Sequence, residues 1–274
     1  MILRSESLVL SQNEIHVWRA SLGSNLTYLQ QLVKTLSVDE LDRANRFHFE
    51  ADRNRFIIGR GILRSILSYY LDIAPHQLQF CYGSHGKPAL KTCNLLHFNL
   101  SHSQDLALYA FTRDRQIGID LEYVRHIPEL DRIVAQFFSA RERGTFLALP
   151  SSQQVAAFFH GWTCKEAILK ALGDGLALPL NQFDVSLLPD RPAQLLSING
   201  DRAAAERWLL QSFIPASDYV AAMAVEGHDW KVKCWQWQGL QVKNRDVILP
   251  LCEDASFDWH CQVYGTNIKP VNRP

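Results

Sequence analysis

Apolar side chains recur along the chain at two spacings, and the switches between them predict its elements. Alternation over Glu14 to Arg19 predicts a strand near the start. A polar, arginine-rich stretch from Val38 to about Asp52 predicts a helix. A stronger amphipathic helix follows from about Arg53 to Tyr70, with Phe56, Ile57, Leu63, Ile66, Leu67 and Tyr70 at helical spacings, and Asp72 to Pro75 ends it. Phe80 to Tyr82 reads as a short strand, and Gly83-Ser84-His85-Gly86-Lys87-Pro88 as a turn-rich loop. Strands are expected at Leu96 to Leu100, Leu106 to Thr112 and Gln116 to Glu122, the last two joined by a hairpin turn at Asp114-Arg115.

A second helical region begins near Leu130. Its clearest element runs from about Ser151 to Leu172, closed by Gly173 as a C-cap. Strands return at Phe183 to Leu187, Trp208 to Phe213, Tyr219 to Val225 and Lys231 to Trp237, and the tail from Glu253 to Pro274 is weakly patterned. The segment Arg60 to Leu67 echoes Glu166 to Leu172, each on a helix followed by strands. Such an echo suggests two α+β halves with a site in the cleft between them.

Composition narrows the classes. The 274 residues suffice for a sizeable core, and 47% hydrophobic with 20% charged residues is ordinary for a globular protein. Lys+Arg and Asp+Glu are both 28, so no basic excess points to nucleic acid. Met1 to Leu10, with Arg4 and Glu6, does not read as a signal peptide, and no run approaches the about 20 apolar residues of a membrane span. The six cysteines are scattered without a C-x-x-C pair, which argues against zinc or a disulfide framework and for thiols in a reducing cytoplasm.

Four constellations carry chemistry. In Ile117-Gly118-Ile119-Asp120-Leu121-Glu122, strand alternation points Asp120 and Glu122 one way and Ile119 and Leu121 into the core. Paired carboxylates repel unless a cation lies between them, and Mg²⁺ typically takes one or two carboxylates plus phosphate oxygens. In isolation such a pair reads first as a solvated strand end. Glu166 and Lys170 stand one turn apart on an otherwise apolar helix, either an exposed ion pair or a half-buried site. Ser101-His102-Ser103 at a strand end suits phosphate oxygens or a polar turn equally; no G-x-S-x-G elbow accompanies it. From Leu41 to Arg64, six arginines face three acids, and Lys87 adds a cation on the constrained loop. No phosphate loop of the G-x-x-x-x-G-K-[ST] kind and no G-x-G-x-x-G turn is present.

Taken in order, Gly86-Lys87-Pro88, Phe98-Asn99-Leu100-Ser101-His102-Ser103, Gly118-Ile119-Asp120-Leu121-Glu122 and Trp162-Thr163-x-Lys165-Glu166-Ala167-x-x-Lys170 resemble the 4′-phosphopantetheinyl transferases of the surfactin-synthetase-activating type. Gly173-x-Gly175-Leu176, Phe137-Phe138-Ser139 and Glu142 extend the similarity, which spans about Arg43 to Leu187.

The resemblance implies an α+β fold of two similar halves in pseudo-two-fold arrangement, each a small antiparallel sheet packed with helices. The corresponding boundaries are 1–115, 116–228 and a C-terminal extension, 229–274, of an additional strand and tail. It implies transfer of 4′-phosphopantetheine from coenzyme A to a serine of an acyl, peptidyl or polyketide carrier protein, releasing adenosine 3′,5′-bisphosphate, with Mg²⁺ (or Mn²⁺) as cofactor. By position, Asp120, Glu122 and Glu166 would be metal ligands, with Glu166, Lys170 and Asp120 catalytic. Arg43, Arg55, Lys87, Ser101, His102 and Lys170 would bind coenzyme A, Ser101 and His102 at the 3′-phosphate and Lys170 at the pyrophosphate. Glu166 would be the base toward the carrier serine. Carrier choice is expected between Val124 and Phe138, and a pseudo-dimeric chain is expected to work as a monomer. Phe56 stands where some relatives place a small hydroxyl residue near the adenine. Two alternatives are a non-catalytic binder of coenzyme A or of a carrier, and a metal-dependent phosphate-ester hydrolase.

Overall fold

The computed structural model describes residues 9–23, 26–83, 86–92, 95–173, 178–243 and 247–254. Ser84, His85, Gly175, Leu176 and the tail beyond Asp254 lie outside them. The first half runs β1 (Glu14–Ser21), α1 (Leu26–Val33), α2 (Val38–Ala44), α3 (Glu50–Leu71), β2 (Phe80–Tyr82), β3 (Pro88–Leu90), β4 (Leu96–Ser103) and β5 (Leu106–Arg113). The second runs β6 (Ile117–Tyr123), α4 (Leu130–Phe137), α5 (Ala140–Ala148), α6 (Ser151–Leu172), β7 (Phe183–Val185), β8 (Leu195–Ile198), α7 (Arg202–Glu206), β9 (Trp208–Phe213) and β10 (Tyr219–Glu226). The chain then adds β11 (Lys231–Lys243) and β12 (Val247–Asp254).

The halves repeat one plan. β1, β5 and β4 lie in that order, all antiparallel, and β6, β10 and β9 do the same. Each half has a 22-residue helix, α3 or α6, followed by a two-stranded ribbon. The sheets stack face to face: Ile15 and Val17 of β1 and Leu108 and Ala110 of β5 bury against Ile117, Ile119 and Leu121 of β6 and Met223 of β10. α3 covers the outer face of the first sheet through Ile58, Ile62 and Ile66. α6 covers that of the second through Cys164, Ala167, Ile168 and Ala171.

A buried ion pair marks the duplication residue by residue. Ser37-x-x-Glu40 forms a capping box at the start of α2, and Ser139-x-x-Glu142 forms one at the start of α5. Each box glutamate then pairs with a cation on the long helix of its half. Glu40 Oε2 lies 2.6 Å from Arg64 Nε, and Glu142 Oε2 2.8 Å from Lys165 Nζ. Each cation also donates to two carbonyls of the turn beyond its helix: Pro75 and Leu78 for Arg64, Leu180 and Phe183 for Lys165. Arg64 is therefore the counterpart of Lys165, which shifts the register of the sequence echo, where Arg64 falls opposite Lys170.

Three further expectations change. The helical stretch over 38–52 breaks after Ala44, where Asn45 caps α2, and Phe49 in an extended conformation starts α3. Asp114 and Arg115 do not close a hairpin, because β5 and β6 belong to different sheets. Asp114 takes a left-handed conformation (φ 59°), its N–H donates to Leu95 O at 3.0 Å, and the chain crosses to the second sheet. Stacking, not pairing, is what buries the apolar face of β6. Finally, the first sheet is not wholly antiparallel, since β11 pairs parallel with β1. β11 occupies the outer edge of β1, with Trp235 stacked on Trp18 at 5.7 Å. The corresponding edge of β6 faces β4 instead. No helix among the described residues is long and apolar enough to cross a membrane.

Candidate active site

β6 and α6 meet backbone to backbone. A Cβ on Gly118 would stand 2.0 Å from the Ala167 carbonyl oxygen and 2.4 Å from the Ala171 nitrogen, so only glycine lets the helix lie this close. The strand is tied to the other half by Asn99, whose Oδ1 accepts the Ile119 N–H at 2.9 Å. Strand alternation then turns Asp120 and Glu122 to the Gly118 side, toward α6, while Ile119 and Leu121 enter the core between the sheets.

Asp120 lies beneath the floor of a cleft, 5% exposed. Its Oδ1 accepts from Lys170 Nζ at 2.6 Å and from Ser101 Oγ at 2.9 Å. Lys170 also donates to Ser101 Oγ at 3.1 Å and to Ile119 O at 3.2 Å. Asp120 Oδ2 is buried without a hydrogen-bond partner. Glu122, two residues on and half-buried, accepts from Ser103 Oγ at 3.2 Å and pairs loosely with Arg125 at 3.6 Å. Burial and then the Asp120 charge hold the Glu122 carboxyl above its ordinary pKa. The same two causes, with Glu122 adding and Lys170 opposing, raise Glu166. Two carboxylates held up beside the Asp120 charge, with one Asp120 oxygen unsatisfied, favour a shared cation.

Above this cluster opens a cavity of about 720 Å³. Its walls bring together Arg43, Arg55, Lys87, Ser101, His102, Glu166 and Lys170, from both halves of the chain. Asp120 and Glu122 are not on the wall itself. Lys87 Nζ donates to the Lys170 carbonyl at 2.5 Å and to Ile117 O at 3.4 Å, tying its loop to the second half. Arg55 is engaged by Asp105 at 2.9 Å and Asp52 at 3.2 Å, pairs that hold its pKa up. Arg43 rests over the Phe56 ring, 5.2 Å from its centroid. His102 is exposed at the end of β4; desolvation by the cavity wall, then the Lys170 and Arg55 charges, keep its imidazole below the ordinary value.

The donor set suits a hard divalent cation through carboxylates supplemented by ligand oxygens. Among the described residues, no group of three His, Cys, Asp or Glu side chains is gathered tightly enough to hold a metal alone. Sequence reasoning missed the tether from Asn99, although a polar residue inside an apolar strand signalled it. It also missed the depth at which Arg60 is enclosed, and Lys165 as an interior cation, 0% exposed against Glu142.

Known proteins are similar to this chain in sequence. Residues 116–224 match the 4′-phosphopantetheinyl transferase superfamily, and residues 18–113 match the family described as 4′-phosphopantetheinyl transferase, N-terminal. The 4′-phosphopantetheinyl transferase HetI of Nostoc sp. is 47% identical over 235 residues, covering 84% of this chain and 95% of that protein. The 4′-phosphopantetheinyl transferase Sfp of Bacillus subtilis is 32% identical over 161 residues, 59% of this chain and 70% of its own length. The L-aminoadipate-semialdehyde dehydrogenase-phosphopantetheinyl transferase of Mus musculus is 29% identical over 169 residues, 57% of this chain and 55% of that one. With motifs, duplicated plan and relatives in agreement, the chain belongs to the 4′-phosphopantetheinyl transferase superfamily.

Proposed function

We propose that this chain transfers the 4′-phosphopantetheine group from coenzyme A to a serine hydroxyl of a carrier protein, with Mg²⁺ held by Asp120, Glu122 and Glu166. The observation that carries the reading is the unsatisfied Asp120 Oδ2, buried under a cation-lined cavity beside Lys170. When bound, the metal offsets negative charge on the pyrophosphate.

The residues divide the remaining work. Ser101 and His102 hold the 3′-phosphate, with Arg43 and Arg55 adding positive field. Lys87, fixed by two carbonyls, supports the loop against the nucleotide. Lys170 is set on Asp120 and Ser101 and within reach of the cavity, so its ammonium meets the pyrophosphate. The carrier serine oxygen attacks the β-phosphorus, the bond to the bridging oxygen breaks, and adenosine 3′,5′-bisphosphate leaves. The serine proton passes to Glu166, the one carboxylate of the three that lines the cavity wall.

Both halves of the cavity come from one chain, which supports a monomer, and the free thiols of Cys81 and Cys164 support a reducing, cytoplasmic compartment. Release of adenosine 3′,5′-bisphosphate, followed chromatographically, tests the reading. The expected result is release only when coenzyme A, apo carrier and a divalent cation are all present. Release without a carrier would show hydrolysis instead, and binding without release a non-catalytic module.

A further inference from the structure

Arg60, on α3, lines the same cavity and is only 7% exposed. Its guanidinium is closed in by three rings, with centroids 5.7 Å (Phe56), 5.4 Å (Phe80) and 5.8 Å (Tyr82) away. Its Nη1 is buried with no hydrogen-bond partner. The carboxylate that approaches it, Glu40, stands 3.5 Å from Nε through Oε1 and also serves Arg64 through Oε2. Glu40 Oε2 lies 2.6 Å from Arg64 and accepts the Ser37 N–H at 3.0 Å, while its Oε1 has no hydrogen-bond partner. Two interior guanidiniums thus share one carboxylate. Desolvation pulls the Arg60 pKa below its ordinary value, as expected for a cation short of counter-charge.

An apolar side chain would fill this ring-lined slot without desolvating a charge. The surplus charge finds its counterpart in an anion brought into the cavity. Coenzyme A carries phosphate at two places, and the cavity has two polar walls. The α6 and β6 wall holds Lys170 and the carboxylate cluster, which suits the pyrophosphate. The α2 and α3 wall holds Arg43, Arg55 and Arg60. Of these, Arg55 is engaged by Asp105 and Asp52, whereas Arg43 and Arg60 both lie over the ring of Phe56. We propose that Arg60 pairs with the 3′-phosphate of coenzyme A beside Arg43, and so makes the 3′-phosphorylated nucleotide the preferred donor over its dephospho form. This rests on the reading of coenzyme A as substrate.

The test is Arg60→Met, assayed for transfer to a carrier from coenzyme A and from 3′-dephospho-coenzyme A. The expected result is a fall of about ten- to hundred-fold in the ratio of the two kcat/KM values, the contribution of a charge-assisted hydrogen bond. The fall lies in KM for coenzyme A, and the melting temperature, read beside it, separates this loss from what removing the Glu40 contact and the three ring contacts costs the fold. Arg60→Lys, which keeps a charge in the slot, restores part of the ratio and checks for misfolding. Calorimetric titration of both proteins with adenosine 3′,5′-bisphosphate and adenosine 5′-monophosphate gives an arm independent of turnover. There, Arg60→Met removes most of the advantage of the bisphosphate. An unchanged ratio, or equal losses on both nucleotides, would overturn the proposal. Should the parent protein transfer nothing from coenzyme A, the transferase reading falls, and the titration still decides the role of Arg60.

Discussion

Replacing Gly118 by alanine puts a methyl group into the contact between β6 and α6. The new Cβ would stand 2.0 Å from Ala167 O, 2.4 Å from Ala171 N and 2.9 Å from Lys170 C, all backbone atoms that no side-chain rotation can clear. Favourable separation for such atoms is about 3.5 Å, so the helix must withdraw by more than roughly 1 Å. Overpacking of this kind costs about 1–3 kcal/mol, and a clash with rigid backbone belongs at the upper end. At about 3 kcal/mol, the melting temperature falls by roughly 6–12 °C. Withdrawal also takes Lys170 away from Asp120, now at 2.6 Å, and a displacement of about 1 Å at a catalytic group costs on the order of 100-fold in rate. Gly144, in the interior of α5, is the matched control: a Cβ there meets nothing within 4 Å. Gly144→Ala is expected to stabilise by about 0.5–1 kcal/mol, as removal of a helical glycine does. Calorimetric melting of both variants, with transfer kinetics, checks the pair. A Gly118→Ala protein melting within about 2 °C of the parent would refute the close approach as the device that sets the site.

Two other predictions concern buried charge. Glu122 and Glu166 have raised pKa values when folded, so the folded protein holds more protons than the unfolded chain above pH 4.5, the ordinary value, and stability falls as pH climbs through the raised values. A divalent cation relieves that repulsion, so the thermal shift on adding Mg²⁺ is expected to be larger near pH 8 than near pH 5. Glu166→Gln shrinks it, and an equal shift at both pH values would contradict the shared-cation cluster. Lys165→Met strands the Glu142 carboxylate in the interior and is expected to cost about 3–5 kcal/mol in urea unfolding. Burial pushes the Glu142 carboxyl up and the Lys165 ammonium down, each opposed by the other's charge. The double variant Glu142→Gln with Lys165→Met, which buries no lone charge, is expected to lose less than Lys165→Met alone; a loss equal to the sum of the two singles would argue against the pairing.

Much of the plan was legible locally. α6 spans Ser151–Leu172 as expected because Pro150 and Gly173 mark its ends, and β9 spans Trp208–Phe213 as expected, with Pro215 shortly beyond its end. Where the outcome depended on long-range packing, the sequence misled. Alternation over Ile117 to Leu121 told which face of β6 is buried but not that it stacks on the first sheet, so a hairpin with β5 was inferred. The echo between the long helices slipped by five residues because it was matched on local residue types alone, along helices buried on most sides. The pairs Glu40–Arg64 and Glu142–Lys165 fix the equivalence, and the two S-x-x-E boxes were their only local trace. The carboxylates and Lys170 were readable from spacing within one strand and one helix. Arg60 was visible only as one of six arginines, since its enclosure depends on Phe80 and Tyr82 of a distant ribbon.

On this reading the Asp120, Glu122, Glu166 and Lys170 cluster transfers phosphopantetheine to a carrier. Intact-mass spectrometry tests it most directly: apo carriers incubated with coenzyme A, Mg²⁺ and either the parent chain, Asp120→Asn or Glu166→Gln, all shown folded by circular dichroism. A carrier is expected to gain the phosphopantetheine mass with the parent, and each variant to slow the gain by at least about 100-fold. A panel of fatty-acid, polyketide and peptide carriers that never gains the mass, or variants that match the parent, would contradict it.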